Sequence, residues 1–208
     1  MLIRLVKCLQ SIRLLVSSQY GEDVGNLDRE FRQNTQKLKE LILYISFKWA
    51  DAKFFGDTKL NKVLFAIDFD SFLKLGSPVT GSTYIRDSYG PRSYPLLPCL
   101  KELESVDKDL YLKPEFRGLR IQRRPIPLRV ANTSIFSSEE LGIIEKWIDL
   151  MRDKTAKQVS DWSHEFEFWK QLDNGQQIPY GTIFWGPSAT STVTEEDIQW
   201  AKSPCKPD

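Results

Sequence analysis

Between Lys59 and Leu75 the chain carries a run whose apolar residues reach most of the way round a helix. Leu60, Val63, Leu64, Ile67 and Phe72 recur at three- and four-residue steps, and Phe65, Ala66 and Phe69 widen the stripe. A helix this apolar has to be covered on more than one side. The spacing therefore predicts a central helix over 59–75 with other elements wrapped about it. Gly76 is its expected stop, because glycine enters the left-handed conformation cheaply, and Asp57 or Thr58 is its expected cap. Asp68 and Asp70 lie two apart within the run, so they point to different faces and form no carboxylate pair; each is expected solvated or paired on its helix.

The elements that could do the covering follow from pattern. A helix is predicted over 35–53, with Leu38, Leu41, Ile42, Ile45, Trp49 and Ala52 inward. Thr83, Tyr84 and Ile85 favour a strand, and Gly90–Pro91 reads as a turn. A helix over about 95–106 would turn Leu96, Leu97, Leu100 and Leu103 inward. Tyr111–Leu112 and Leu119–Arg129 read as a hairpin joined across Pro114–Gly118. Ser137 or Ser138 before Glu139–Glu140 opens a helix carrying Leu141, Ile144, Trp147, Ile148 and Met151. Another is predicted over 156–169, and Ile178–Gly181 is a loop leading into Ile183–Trp185. The result is an α+β fold: one mainly helical domain over 35–186 with a small antiparallel sheet and hairpin. On either side of it, Leu2, Leu5, Val6, Leu9, Ile12 and Val16 form the stripe of an amphipathic docking helix or leader within 1–34, and Thr194–Asp197 starts a terminal helix within 187–208.

Composition narrows the chemistry. Lys and Arg total 29 against 28 Asp and Glu, a net charge of +1, which argues against a dedicated nucleic-acid binder. The single histidine, His164, excludes any multi-histidine metal site. Cys8, Cys99 and Cys205 are odd in number and scattered, the pattern of free thiols in a reducing compartment. No stretch approaches the ~20 apolar residues of a membrane span, and the charges of Arg4, Lys7 and Arg13 interrupt any signal-peptide core. A cytoplasmic protein without metal or cofactor is expected.

No phosphate loop, dinucleotide fingerprint, nucleophile elbow or metal-binding Cys pair occurs. Ser160 sits four residues before His164 and shares its helical face, a pair that a hydrolase could use. Between Lys108 and Arg129 seven basic residues (Lys108, Lys113, Arg117, Arg120, Arg123, Arg124, Arg129) face only Asp109 and Glu115, a ribbon that nucleic acid could follow with Tyr111 and Phe116 stacking. Tyr84, Arg86, Tyr89, Arg92 and Tyr94 gather around Gly90–Pro91, and Tyr and Arg are side chains that dominate protein-binding hot spots.

Several segments resemble a known family when taken in order. They are Lys59–Leu60–Asn61–Lys62–Val63–Leu64–Phe65–Ala66, Gly76–Ser77–Pro78–Val79–Thr80–Gly81, Tyr84 with Tyr89–Gly90–Pro91, and later Ser160, His164, Trp169 and Ile178–Pro179–Tyr180. Over about 35–186 the chain resembles the Panacea-domain family of SocA-like antitoxins. Asn61, Phe65 and Arg92 depart from the residues usual there, and no helix-turn-helix is visible. The resemblance implies a non-enzymatic antitoxin that binds a protein toxin encoded beside it, blocking it directly or delivering it to a protease. The expected contact face is Tyr84, Arg86, Tyr89, Gly90, Pro91, Arg92 and Tyr94. A nucleic-acid-binding regulator using 108–129 and a hydrolase using Ser160 and His164 remain the alternatives.

Overall fold

The computed structural model of the chain describes residues 31–117 and 120–185. The readings for the two terminal segments, with Cys8 and Cys205, fall outside these residues. Helix α1 (Thr35–Lys48) is capped by Asn34, whose side chain accepts from the Lys37 amide. It ends short of the expected Lys53, where the carbonyls of its last residue and of the turn after it are taken up by cations from distant elements. Arg152 donates to Lys48 O at 2.6 Å, and Arg124 donates to Ala52 O at 2.8 Å and, at 3.4 Å, to Trp49 O and Ala50 O. The chain can then turn, with Ala52 and Phe55 still buried and Phe55 edge-on to Trp49.

Helix α2 (Asp57–Leu75) is the central helix, with every residue from Lys59 to Ser71 buried. Neither predicted cap is used. Gly56 is the N-cap and makes no side-chain bond, while Asp57 is the first helical residue, a carboxylate at the positive end that Arg123 pairs at 2.6 Å. Gly76 closes the helix in the left-handed region at φ 72°, its amide donating to Phe72 O. Asp68 and Asp70 do point to different faces, but both are buried: Asp68 is neither solvated nor paired on its helix, while Asp70 does pair with Lys74 on α2 as well as with groups of another helix. The Asp70 carboxylate accepts from the Trp147 indole at 2.8 Å and Lys146 at 2.9 Å, besides Lys74 one turn on.

Strands β1 (Tyr84–Asp87) and β2 (Gly90–Ser93) pair antiparallel, Tyr84 opposite Ser93 and Asp87 opposite Gly90. The turn is therefore at Ser88–Tyr89, and Gly90–Pro91, read as a turn, is strand. Pro91 is tolerated because β2 is an edge strand. Helix α3 (Leu96–Ser105) buries Leu96, Cys99, Leu100 and Leu103; Leu97, expected inward, is exposed and Cys99 takes its place on the apolar stripe. Strands β3 (Leu110–Arg117) and β4 (Arg120–Pro127) make a hairpin longer than expected, with Pro114 inside a strand opposite Arg123. Helix α4 (Ser138–Met151) opens with a capping box between Ser137 and Glu140.

The helix expected over 156–169 is two, α5 (Ala156–Ser163) and α6 (Phe168–Gln171). Packing explains the break. Trp162, Phe166 and Phe168 all meet the Phe65 ring, at centroid distances of 6.3, 5.7 and 5.7 Å, whereas residues two apart on one helix face away from each other. The loop after α6 forms strand β5 (Gln177–Ile178), which pairs with β1 to give the order β2-β1-β5, and a 3-10 turn follows over Tyr180–Phe184. The fold is α+β, helices packed round α2 with two small antiparallel sheets.

Two glycines sort backbone strain from crowding. Gly76 and Gly81 both have φ near +70°, but a Cβ on Gly76 meets nothing, while one on Gly81 would lie 2.7 Å from Arg32 O. Gly76→Ala should cost about 1 kcal/mol, the left-handed penalty alone, and Gly81→Ala about 2–4 kcal/mol. Urea unfolding of the two variants measures the difference, and an equal or reversed order would contradict the packing of residue 32 against the Gly81 turn.

Candidate functional site

The residues singled out from the sequence divide into an interior frame and a surface. The frame starts at Asp68, fully buried in α2. Its carboxylate accepts from the Thr80 amide at 2.7 Å, from the Thr80 hydroxyl, and from the Tyr84 hydroxyl at 2.8 Å. The Tyr180 hydroxyl lies 3.4 Å from the same carboxylate and donates to Ser82 O at 2.8 Å. Burial raises the Asp68 carboxyl above its ordinary value, opposed by these donors, and lifts both tyrosines well above theirs. Sequence reasoning missed this network, although an aspartate inside a nearly all-apolar run was a signal for it. Tyr84 accordingly faces the core and not a partner, a correction to its expected place on the contact face.

Lys59 and Lys62 stand on the same helix and are both buried. Lys59 donates to Arg152 O and sits 4.5 Å from the centre of the Trp49 ring. Lys62 donates to Pro91 O at 3.0 Å, and burial pushes each ammonium down to about 8. Asn61 accepts from the Ser93 amide at 2.8 Å, and Ser160 donates to Tyr89 O at 2.7 Å. Strand β2 and its turn are thus held through main-chain atoms. Leu60, Gly81, Gly90 and Pro91 are buried, so Gly90 and Pro91 belong to the frame as well, and Pro179 leads into the turn that carries Tyr180.

What remains on the surface is smaller than expected and aromatic. Tyr89 and Tyr94 are 64% and 63% exposed. Arg92 is half-buried and paired with Asp87 at 2.8 Å. Arg86 lies over the Trp169 ring, 4.1 Å from its centre, with its Nε donating to Trp169 O at 3.2 Å. The His164 ring stacks on the same indole at 3.7 Å. Two groups that close to one ring centre cannot share a face, so Trp169 lies between them. His164 Nε2 is buried without a hydrogen-bond partner, and burial followed by the Lys62 charge lowers its pKa. The Ser160 hydroxyl donates to Tyr89 O and the imidazole is occupied by Trp169, so this geometry joins them in no nucleophile–base pair.

Three arginines of the basic hairpin are held in ion pairs. Arg123 pairs with Asp57, Arg124 with Glu115 and the carbonyls just after α1, and Arg129 with Glu40 and Asp109. Lys108 and Lys113 are exposed, as are Tyr111 and Phe116. Among the described residues no cluster of three or more His, Cys, Asp or Glu could hold a metal ion, and no helix is long and apolar enough to cross a membrane.

A family model described as the antitoxin SocA-like Panacea domain matches residues 60–170, just over half of the chain, from the second buried residue of α2 through α6. No curated protein and no solved structure matches it.

The buried Lys62 predicts a pH dependence. Its folded-state pKa, about 8, is below the ordinary 10.5, so the folded protein sheds this proton first as pH rises. Its burial therefore costs most below pH 8, and stability is regained between 8 and 10.5. Relative to Lys62→Met, the wild type should gain about 1–2 kcal/mol between pH 7 and 9.5, with Lys59 titrating alike in both and cancelling. Urea unfolding at the two pH values measures this, and a flat difference would place the ammonium in contact with solvent.

Proposed function

The chain belongs to the family of SocA-like antitoxins built on the Panacea domain, and from that premise we propose that it neutralises a protein toxin, encoded beside it, by direct binding in the cytoplasm. The working domain is residues 35–186, and catalysis plays no part. The contact face is the β1–β2 turn and its neighbours: Tyr89, Tyr94, Arg86 and Arg92. One observation carries this assignment. Tyr89 and Tyr94 present about two thirds of their surface to solvent at the two ends of a strand whose main chain is held, with its turn, by Lys62, Asn61 and Ser160. Rigid aromatic side chains on a fixed backbone lose little entropy on binding, which is how such residues become hot spots.

The reading is tested by co-expression with the adjacent frame. Growth arrest from that frame alone, relieved by this chain and accompanied by co-purification, supports it; no arrest and no co-purification overturns it. Relief that requires a cellular protease and is accompanied by loss of the toxin selects delivery over direct block. Tyr89→Ala and Tyr94→Ala should each weaken toxin binding by about 2 kcal/mol. Neither should disturb the fold, because the Ser160 bond to residue 89 uses its carbonyl. Circular dichroism and calorimetric titration check both, and full affinity in both variants would move the interface elsewhere.

A further inference from the structure

Arg86 is built like half of an interaction. Its guanidinium is fixed by the Trp169 ring and by the Nε bond to Trp169 O, and the Trp169 ring is itself backed by His164. The strand beneath it is fixed as well, with the Arg86 amide donating to Gln176 O and its carbonyl accepting from Gly175. Yet among the described residues no carboxylate pairs with this arginine, and its two terminal nitrogens have no partner. The nearby acids are engaged elsewhere: Asp87 with Arg92, Asp161 with Lys157, Glu167 with Lys170. Glu165 is exposed to solvent. Lys62 behind the strand donates to Pro91 O and, among the described residues, forms no ion pair, although the Asp87 charge acts on it. Burial first, then the Lys62 charge, and more weakly that of Arg86, hold the His164 imidazole below its ordinary value, so a cation at residue 86 is felt at this ring.

An arginine whose stem and Nε are already held offers its outer nitrogens as a planar fork, the geometry that matches a carboxylate with two parallel hydrogen bonds. Holding it there in advance removes the ordering cost that a free side chain would bear on binding. A phosphate track along nucleic acid would instead call for a row of free cations, and here a single fork stands beside exposed tyrosines. We propose that Arg86 is a carboxylate-recognition site, and that the partner protein places an acidic side chain on it, flanked by contacts to Tyr89. The inference rests on the antitoxin reading only for the role of that partner; the site itself is testable without it.

The probe is a capped peptide of six glutamates, titrated into the full chain, with a six-glutamine peptide and inorganic phosphate as parallel arms at matched ionic strength. His164 is the only histidine of the chain, so its imidazole resonance reports on this site without ambiguity. The glutamate peptide should shift the Arg86 Nε–H and Trp169 indole resonances and raise the His164 midpoint by about 0.2 pH unit, the effect of an anion roughly 10 Å away. The glutamine peptide should do neither. Arg86→Lys keeps the charge but loses the fork, and should weaken the glutamate peptide about tenfold; Arg86→Gln should abolish the response. If Arg86→Gln does not fold, the wild-type peptide pair and Arg86→Lys still decide. No shift with glutamate, an equal shift with glutamine, or undiminished binding to Arg86→Lys overturns the proposal, as does phosphate acting at equal or lower concentration. If the wild type relieves toxin arrest while these titrations fail, the carboxylate site falls and the antitoxin reading stands. If no relief occurs but the titrations succeed, the reverse holds.

Discussion

Three hydroxyl and amide donors converge on the carboxylate of Asp68, with the Tyr180 hydroxyl set beside it on Ser82 O, and most of what surrounds α2 is positioned by that convergence. The Thr80 bonds fix the loop after α2, the Tyr84 bond fixes the start of the sheet, and Tyr180 brings in a segment 112 residues away in the chain. A buried carboxylate is expensive unless its lone pairs are filled, so the interior tolerates no arrangement in which these three segments drift apart. The aromatic rings then fill the space the polar contacts define. Tyr180 lies within 6 Å of Phe31, Phe69 and Phe72, and Tyr84 edges against Phe65 and Phe69.

Cations do a second kind of structural work. Lys59, Lys62, Arg124 and Arg152 all donate to main-chain carbonyls, and two of the four close the end of α1. Such bonds let one element stop and the next begin at a sharp angle without leaving buried acceptors unpaired. Ion pairs, for their part, engage three of the seven basic residues of the hairpin. Arg123, Arg124 and Arg129 spend their charge on Asp57, Glu115, Glu40 and Asp109.

The central helix, the capping box at Ser137 and the left-handed stop at Gly76 were legible in the sequence because each rests on local chemistry. The break between α5 and α6 was not: helical spacing runs through it, and only the common target Phe65 shows why Trp162, Phe166 and Phe168 need a bend. Gly90–Pro91 misled for a related reason, since its turn-like dipeptide is straightened by pairing with β1 and by the Lys62 bond to Pro91 O. At the candidate site, the exposed tyrosines were visible as composition. The Arg86–Trp169–His164 stack was invisible, because residues 83 positions apart meet only once β5 has paired with β1.

That last pairing has a consequence for how the chain comes into being. Strand β5 is two residues long and Tyr180 follows it almost at once, so both the third strand of the sheet and the hydroxyl that donates to Ser82 O beside Asp68 are supplied by some of the last described residues to be synthesised. A growing chain that has not yet emerged from the ribosome past residue 180 holds β1 with an open edge and Ser82 O without the Tyr180 hydroxyl. Contacts across so long a separation also form slowly, because the intervening loop must be closed before they reward it. Completion of this domain therefore waits on synthesis of its last described segment, which brings the third strand into register.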